Sequence, residues 1–118
     1  MYEFYNANAR GNFVNDCTIR AISVAEGKTW DETYEELSRI AQKNGIILDD
    51  VNFIEPLLDS RYKRVDYDDL TVGEFAINHP KGIFLLTMNG HITVCCNGYI
   101  VDSFDPRDMI LWSSWEVK

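Results

Sequence analysis

An α+β domain is predicted for this chain: helices first, then an antiparallel sheet in the C-terminal third. Three observations predict it. Two early stretches carry apolar residues at helical spacing and stop at a glycine. The C-terminal third changes to short apolar and β-branched runs. Those runs are separated by Asn89-Gly90 and Asn97-Gly98, and Asn-Gly is the strongest short hairpin signal. Helices followed by antiparallel strands is the α+β order.

The elements follow in turn. Residues 1–16 are expected to be irregular, because Asn6, Asn8, Gly11, Asn12, Asn15 and Asp16 are all turn-prone. A helix opens at Cys17, carries Ala21, Ile22, Val24 and Ala25, and ends at Gly27 as a C-cap. Thr29-Trp30-Asp31-Glu32 is a capping box. The helix after it places Trp30, Tyr34, Leu37 and Ala41 on one face and stops at Gly45. Residues 49–60 suit a short helix only if Pro56 lies in its first turn. Residues 61–70 alternate too loosely to assign. Thr71-Val72-Gly73-Glu74 is a second capping box, opening a short helix that stops before His79-Pro80. Residues 83–88, 91–96 and 99–104 then read as a meander with two type I′ turns. Asp105-Pro106-Arg107-Asp108 is a turn, and residues 109–117 are expected to add an edge strand.

Size and charge bound the function. The chain has 118 residues, enough for one domain spanning 1–118 with a real core and no staples. Eleven basic against nineteen acidic residues give a formal charge of −8. That sign argues against nucleic acid and anionic membrane surfaces as partners. No run approaches the roughly 18 apolar residues of a spanning helix, and the start, MYEFYNANAR, lacks the order of a signal peptide. A cytoplasmic location is expected. The three cysteines, Cys17, Cys95 and Cys96, make a poor disulfide framework. None has zinc-site spacing, and Asp66, Asp68 and Asp69 lack the spacing of a calcium loop. No metal or cofactor is expected.

Register arithmetic places chemistry on the second hairpin. A two-residue turn at Asn97-Gly98 puts Cys96 opposite Tyr99, Cys95 opposite Ile100, Val94 opposite Val101 and Thr93 opposite Asp102. His91, Thr93, Cys95, Ile100 and Asp102 then share a face. His91 is a diagonal neighbour of Asp102, at about 7–8 Å between backbones, which an imidazole and a carboxylate can span. Cys17 opens a helix, where the dipole lowers a thiol's pKa, and a facing imidazole would lower it further. Cys95 shares the face of His91 but has no helix dipole. Cys96 points away.

These segments resemble small papain-like cysteine peptidases. Residues 15–22 (NDCTIRAI) look like the family's nucleophile helix, residues 89–94 (NGHITV) like its Gly-His strand, and residues 99–103 (YIVDS) like the strand of its third member. The resemblance covers residues 11–28 and 82–106, about a third of the chain. It is nearest to stand-alone peptidase-like proteins of phages and bacterial mobile elements and to bacteriocin-leader peptidases. It implies a papain-like fold, with the nucleophile helix packed on the C-terminal antiparallel sheet. It further implies Cys17 as nucleophile, His91 as general base and acid, and Asp102 as its orienter. The oxyanion hole would take the backbone N–H of Cys17 and a side-chain amide, worth about 2.7–4 kcal/mol in the transition state. The family's upstream Gln is replaced here by Gly11 and Asn12, so Asn12 is the first candidate and Asn15 its rival. The family's glycine after the cysteine is Thr18 here.

The implied activity is hydrolysis of a peptide, amide or isopeptide bond in a protein or peptide substrate, through an acyl-cysteine. Two other classes compete. One is a non-enzymatic binding or inhibitor module on the same fold, steered by the charge to a basic partner. The other is thiol acyl transfer to an amine. Among the remaining residues, a lone helix-opening Cys is usually buried structure and His79 reads as a capping residue. Asp105 would replace Asp102 only in a longer loop. Trp112 and Trp115 either pack on the core or edge the cleft, with core the preferred reading, and Asp31, Glu32, Glu35 and Glu36 read as a solvated helix face.

Overall fold

A computed structural model of the chain describes residues 1–48 and 51–118. Among the described residues the fold is α+β, with four helices and a six-stranded sheet. The helices are α1 (Cys17–Glu26), α2 (Trp30–Lys43), α3 (Val51–Arg61) and α4 (Val72–Asn78). The strands are β1 (Tyr2–Phe4), β2 (Lys63–Val65), β3 (Ile83–Met88), β4 (His91–Cys96), β5 (Tyr99–Asp102) and β6 (Ser113–Glu116). Their order across the sheet is β1-β5-β4-β3-β6-β2. Alternating side chains feed two cores. Leu85, Ile92, Val94 and Trp115 pack with α1, α2 and α3 on one face. Phe84, Leu86, Met88, Cys95 and Ile100 pack with α4 on the other.

Local chemistry explains the boundaries. Both capping boxes close: Thr29 Oγ1 accepts from Glu32 N at 3.1 Å while Glu32 Oε1 accepts from Thr29 N at 3.0 Å. Thr71 and Glu74 exchange the same two bonds at 3.1 and 2.9 Å. Gly27 ends α1 at φ +67°, with Lys28 N reaching back to Ser23 O at 2.9 Å. Between β4 and β5, Asn97 at φ +49° and Gly98 at φ +82° form the I′ pair that matches strand twist. The pairs Cys96–Tyr99, Cys95–Ile100 and Val94–Val101 follow as expected.

Several expectations need correcting. Residues 1–16 are not wholly irregular, since β1 pairs in parallel with β5, so the sheet is mixed rather than purely antiparallel. The loosely alternating stretch contains β2, which pairs with β6. β6 is not an edge strand; it lies between β3 and β2, because the chain returns past α4 to pair with β3. The turn between β3 and β4 is not type I′, since Gly90 has φ +70° but Asn89 lies on the ordinary side. Pro56 lies within α3 rather than in its first turn, and residues 49 and 50 of the expected helix lie outside the described residues. Tyr34 is 46% exposed and stacks on Trp30 at 5.1 Å between ring centroids, so that face of α2 is narrower than its pattern suggests. Among the described residues no helix is long and apolar enough to cross a membrane.

Candidate active site

Three elements converge at one end of the sheet. α1 brings Cys17 at its first residue, β4 brings His91 at its first residue, and β5 brings Asp102 at its last. The hairpin register sets the second and third. His91 Nε2 meets Asp102 Oδ2 at 2.7 Å, and Thr93 Oγ1 donates to the same oxygen at 2.6 Å. With Nε2 held by the carboxylate, Nδ1 is the ring nitrogen left for Cys17, whose thiol lines the same cleft and lies close enough to the imidazole for each to shift the other's proton affinity. Phe104 tilts over the His91 ring at 4.5 Å between centroids. β1 fastens the end of β5: Tyr5 N donates to Asp102 O at 2.8 Å and the Tyr2 phenol donates to it at 3.1 Å.

The electrostatics follow from burial and contact. Burial pushes the Cys17 thiol up, but the neighbouring His91 ring and Ile92 N–H, with the charges of His91 and Arg20, bring it below its ordinary value. Burial would lower the His91 pKa, yet bonds to Asp102 and Cys17 and their charges raise it to about 9. Burial raises the Asp102 carboxyl, and the His91 and Thr93 bonds more than offset that and hold it below its usual value. The other two thiols go the opposite way. Burial lifts Cys95 to about 11 and also lifts Cys96. Cys17 is thus set apart from the other two.

The pair lies in an open cleft. Two recesses of about 600 and 410 Å³ meet at Asn15, Cys17, Gly90 and His91. Phe13, Val14, Phe104 and Met109 wall the first; Leu48, Ile54, Met88 and Trp112 wall the second. Trp112 is therefore a cleft residue at 56% exposure and not core, whereas Trp115 is fully buried. Asn12 and Asn15 both line the cleft with exposed side chains. The loop that carries them is shaped by asparagines: Asn6 Nδ2 donates to Asn12 O at 2.9 Å, and Asn8 Oδ1 accepts from Arg10 N and Asn12 N at 2.9 and 3.3 Å.

Asp16 stands at the N-cap of α1 without capping it. Its Oδ1 accepts from Arg20 Nε at 2.6 Å, and its Oδ2 accepts from Trp30 Nε1 at 2.9 Å and Asn8 Nδ2 at 3.0 Å. The first-turn amides, which have no partner inside a helix, are left free of this carboxylate at the cleft. Arg20 continues to Asp102, a link the sequence reading missed; the one signal was the i,i+4 spacing of Asp16 and Arg20. Asp105 pairs with Arg107 at 2.8 Å on the surface and takes no part. His79 caps α4, stacks on Phe75 at 3.8 Å and meets Tyr67 Oη at 3.2 Å, away from the cleft. Among the described residues no group of three His, Cys, Asp or Glu is placed to hold a metal. Comparison with protein-family models, curated proteins and solved structures finds no match.

Proposed function

We propose that this chain is a papain-like thiol hydrolase that cleaves a peptide, amide or isopeptide bond through an acyl-cysteine. The observation that carries the reading is the hydrogen bond from His91 to Asp102, with Cys17 beside that imidazole in an open cleft. A thiol held below its ordinary pKa beside an imidazole held above its own is an activated nucleophile.

The chemistry follows from those positions. The Cys17 thiolate attacks the carbonyl carbon and the C–S bond forms. The carbonyl oxygen becomes an oxyanion, within reach of the Cys17 N–H at the head of α1 and of an amide from Asn12 or Asn15. His91 then gives its proton to the leaving nitrogen and the C–N bond breaks. Water enters, His91 takes its proton, and hydroxide attacks the thioester. The C–S bond breaks, releasing the acid and restoring the pair. Asp102 keeps the ring in one orientation throughout and favours its protonated form. The apolar walls on both sides of Cys17 suit an extended peptide lying across the pair.

The test is labelling by a peptide carrying an electrophilic carbonyl, followed by digestion of a denatured protein mixture. Labelling confined to Cys17, lost in His91→Ala, with cleavage lost in Cys17→Ala, supports hydrolysis. Products heavier by the mass of an added amine assign acyl transfer instead. No labelling and no cleavage by folded protein overturns the reading in favour of a binding module.

A further inference from the structure

The hydrogen bond from His91 to Asp102 is one link of a longer chain. Arg20 lies three residues after Cys17 on α1, so the two side chains leave neighbouring positions of one helix face. Its side chain is only 11% exposed, between the carboxylates of Asp16 and Asp102 at 5% and 3%. Nε donates to Asp16 Oδ1 at 2.6 Å, while Nη1 donates to Asp102 Oδ1 at 2.9 Å and to Ser103 Oγ at 2.7 Å. The two oxygens of Asp102 are thus divided. Oδ2 serves His91 and Thr93, and Oδ1 serves Arg20 and the N–H of Ser103 at 2.7 Å.

A guanidinium fits this place for two reasons. Two buried carboxylates need a cation between them, or one takes up a proton. A planar fork also fixes two partners at once, which a point charge on a flexible stem does not. Asp16 is itself fixed from behind by Trp30 and Asn8. A rigid chain therefore runs from the N-terminal loop through Asp16 and Arg20 to the carboxylate facing the imidazole.

We propose, resting on the reading of Cys17 and His91 as the reactive pair, that Arg20 is a positioning residue: anchored on Asp16, it locks the plane of Asp102 through Oδ1 and leaves Oδ2 aimed at His91. This also accounts for an N-cap aspartate that caps nothing. Arg20 acts through Asp102, and its charge adds to the field that favours the Cys17 thiolate. The charged and titratable groups facing the chain are Asp16 at the N-cap of α1, Arg20 and Cys17 from α1, His91 from β4, Asp102 from β5 and the Tyr2 phenol from β1.

The experiment is the pH profile of Cys17 alkylation by iodoacetamide, read by peptide mass, in wild type, Arg20→Gln, Arg20→Lys and His91→Ala. Circular dichroism checks the fold of each. Arg20→Gln moves the acid limb up by about one pH unit, so the rate near pH 6 falls about tenfold, while the alkaline plateau is kept. Arg20→Lys restores the charge without the fork and falls between the two. A purely structural role lowers the melting temperature and leaves the folded protein's profile in place. An Arg20→Gln profile that superimposes on wild type overturns the proposal. Where Arg20→Gln does not fold, Arg20→Lys decides, because it keeps the buried charge, and a wild-type profile there overturns it equally. Identical profiles for wild type and His91→Ala overturn the thiol–imidazole reading itself. A His91 effect without an Arg20 effect removes only the role of Arg20.

Discussion

Replacing Asp102 with Asn perturbs the site at its most connected atom pair. The carboxylate is 3% exposed and accepts four hydrogen bonds, from His91, Thr93, Arg20 and Ser103. An amide can keep the acceptor at one position but puts a donor at the other, and it leaves Arg20 with Asp16 as its one charged partner. Breaking a buried pair in this way costs about 3–5 kcal/mol. At about 4 °C per kcal/mol in a domain of this size, Tm falls by roughly 12–20 °C. The pH dependence has a definite sign. The folded Asp102 pKa is held below 3.8, so its contribution is complete above that value and is lost as pH falls through the lower folded one. The folded His91 pKa is raised from 6.5 to about 9, so its contribution is complete below 6.5 and is lost as pH rises through about 9. The gap between wild type and Asp102→Asn is therefore widest from about pH 4 to 6.5 and narrows on both sides. Thermal melts by circular dichroism from below about pH 4 to above about pH 9 measure it. A gap below about 1 kcal/mol, or one that stays constant from acid to alkaline pH, would mean that the carboxylate is not ion-paired in the fold.

Three further outcomes follow from the same contacts. Thr93→Val removes the hydroxyl that donates to Asp102 Oδ2 at 2.6 Å and lowers stability by about 1.5–3 kcal/mol in urea titration; an unchanged midpoint contradicts that bond. At mildly alkaline pH the folded chain exposes one fast thiol to Ellman's reagent, Cys17, because burial pushes Cys95 to about 11 and raises Cys96. Denaturant releases the other two, and fast reaction of Cys95 in native protein contradicts this. Gly27→Ala costs about 1 kcal/mol, because the residue sits at φ +67° with open space around it and the penalty is purely conformational; a more stable variant contradicts this.

The candidate site was largely legible where local chemistry sets long-range geometry. The Asn97-Gly98 turn alone fixes which residues of β4 and β5 face each other, and that register carries His91 to Asp102 across eleven positions. Thr29-Glu32 and Thr71-Glu74 marked two helix starts because each box is a closed pair of bonds within four residues. What lay hidden depends on packing between distant segments. β1 is three residues long, too short for a period to show, and its partner lies at the other end of the chain. Arg20 reaches Asp102 across eighty-two positions, and nothing local to either residue announces the bond. Asn89-Gly90 looked identical to Asn97-Gly98, yet Asn89 takes the ordinary backbone region, so the dipeptide signals a tight turn without fixing its type. Trp112 and Trp115 are three apart and equally apolar, but one faces the cleft and the other the core, a distinction set by where β6 begins.

The proposed hydrolase needs a proton that passes between Cys17 and His91. Ultraviolet thiolate absorbance followed against pH, as the difference between wild type and Cys17→Ala, reports that proton at its source. With such a pair, the Cys17 thiolate titrates below the ordinary thiol value of about 8.5, and His91→Ala returns it to that value or above. A Cys17 thiolate that titrates at or above the ordinary value in wild type, or that ignores the loss of His91, rules out a thiolate–imidazolium pair.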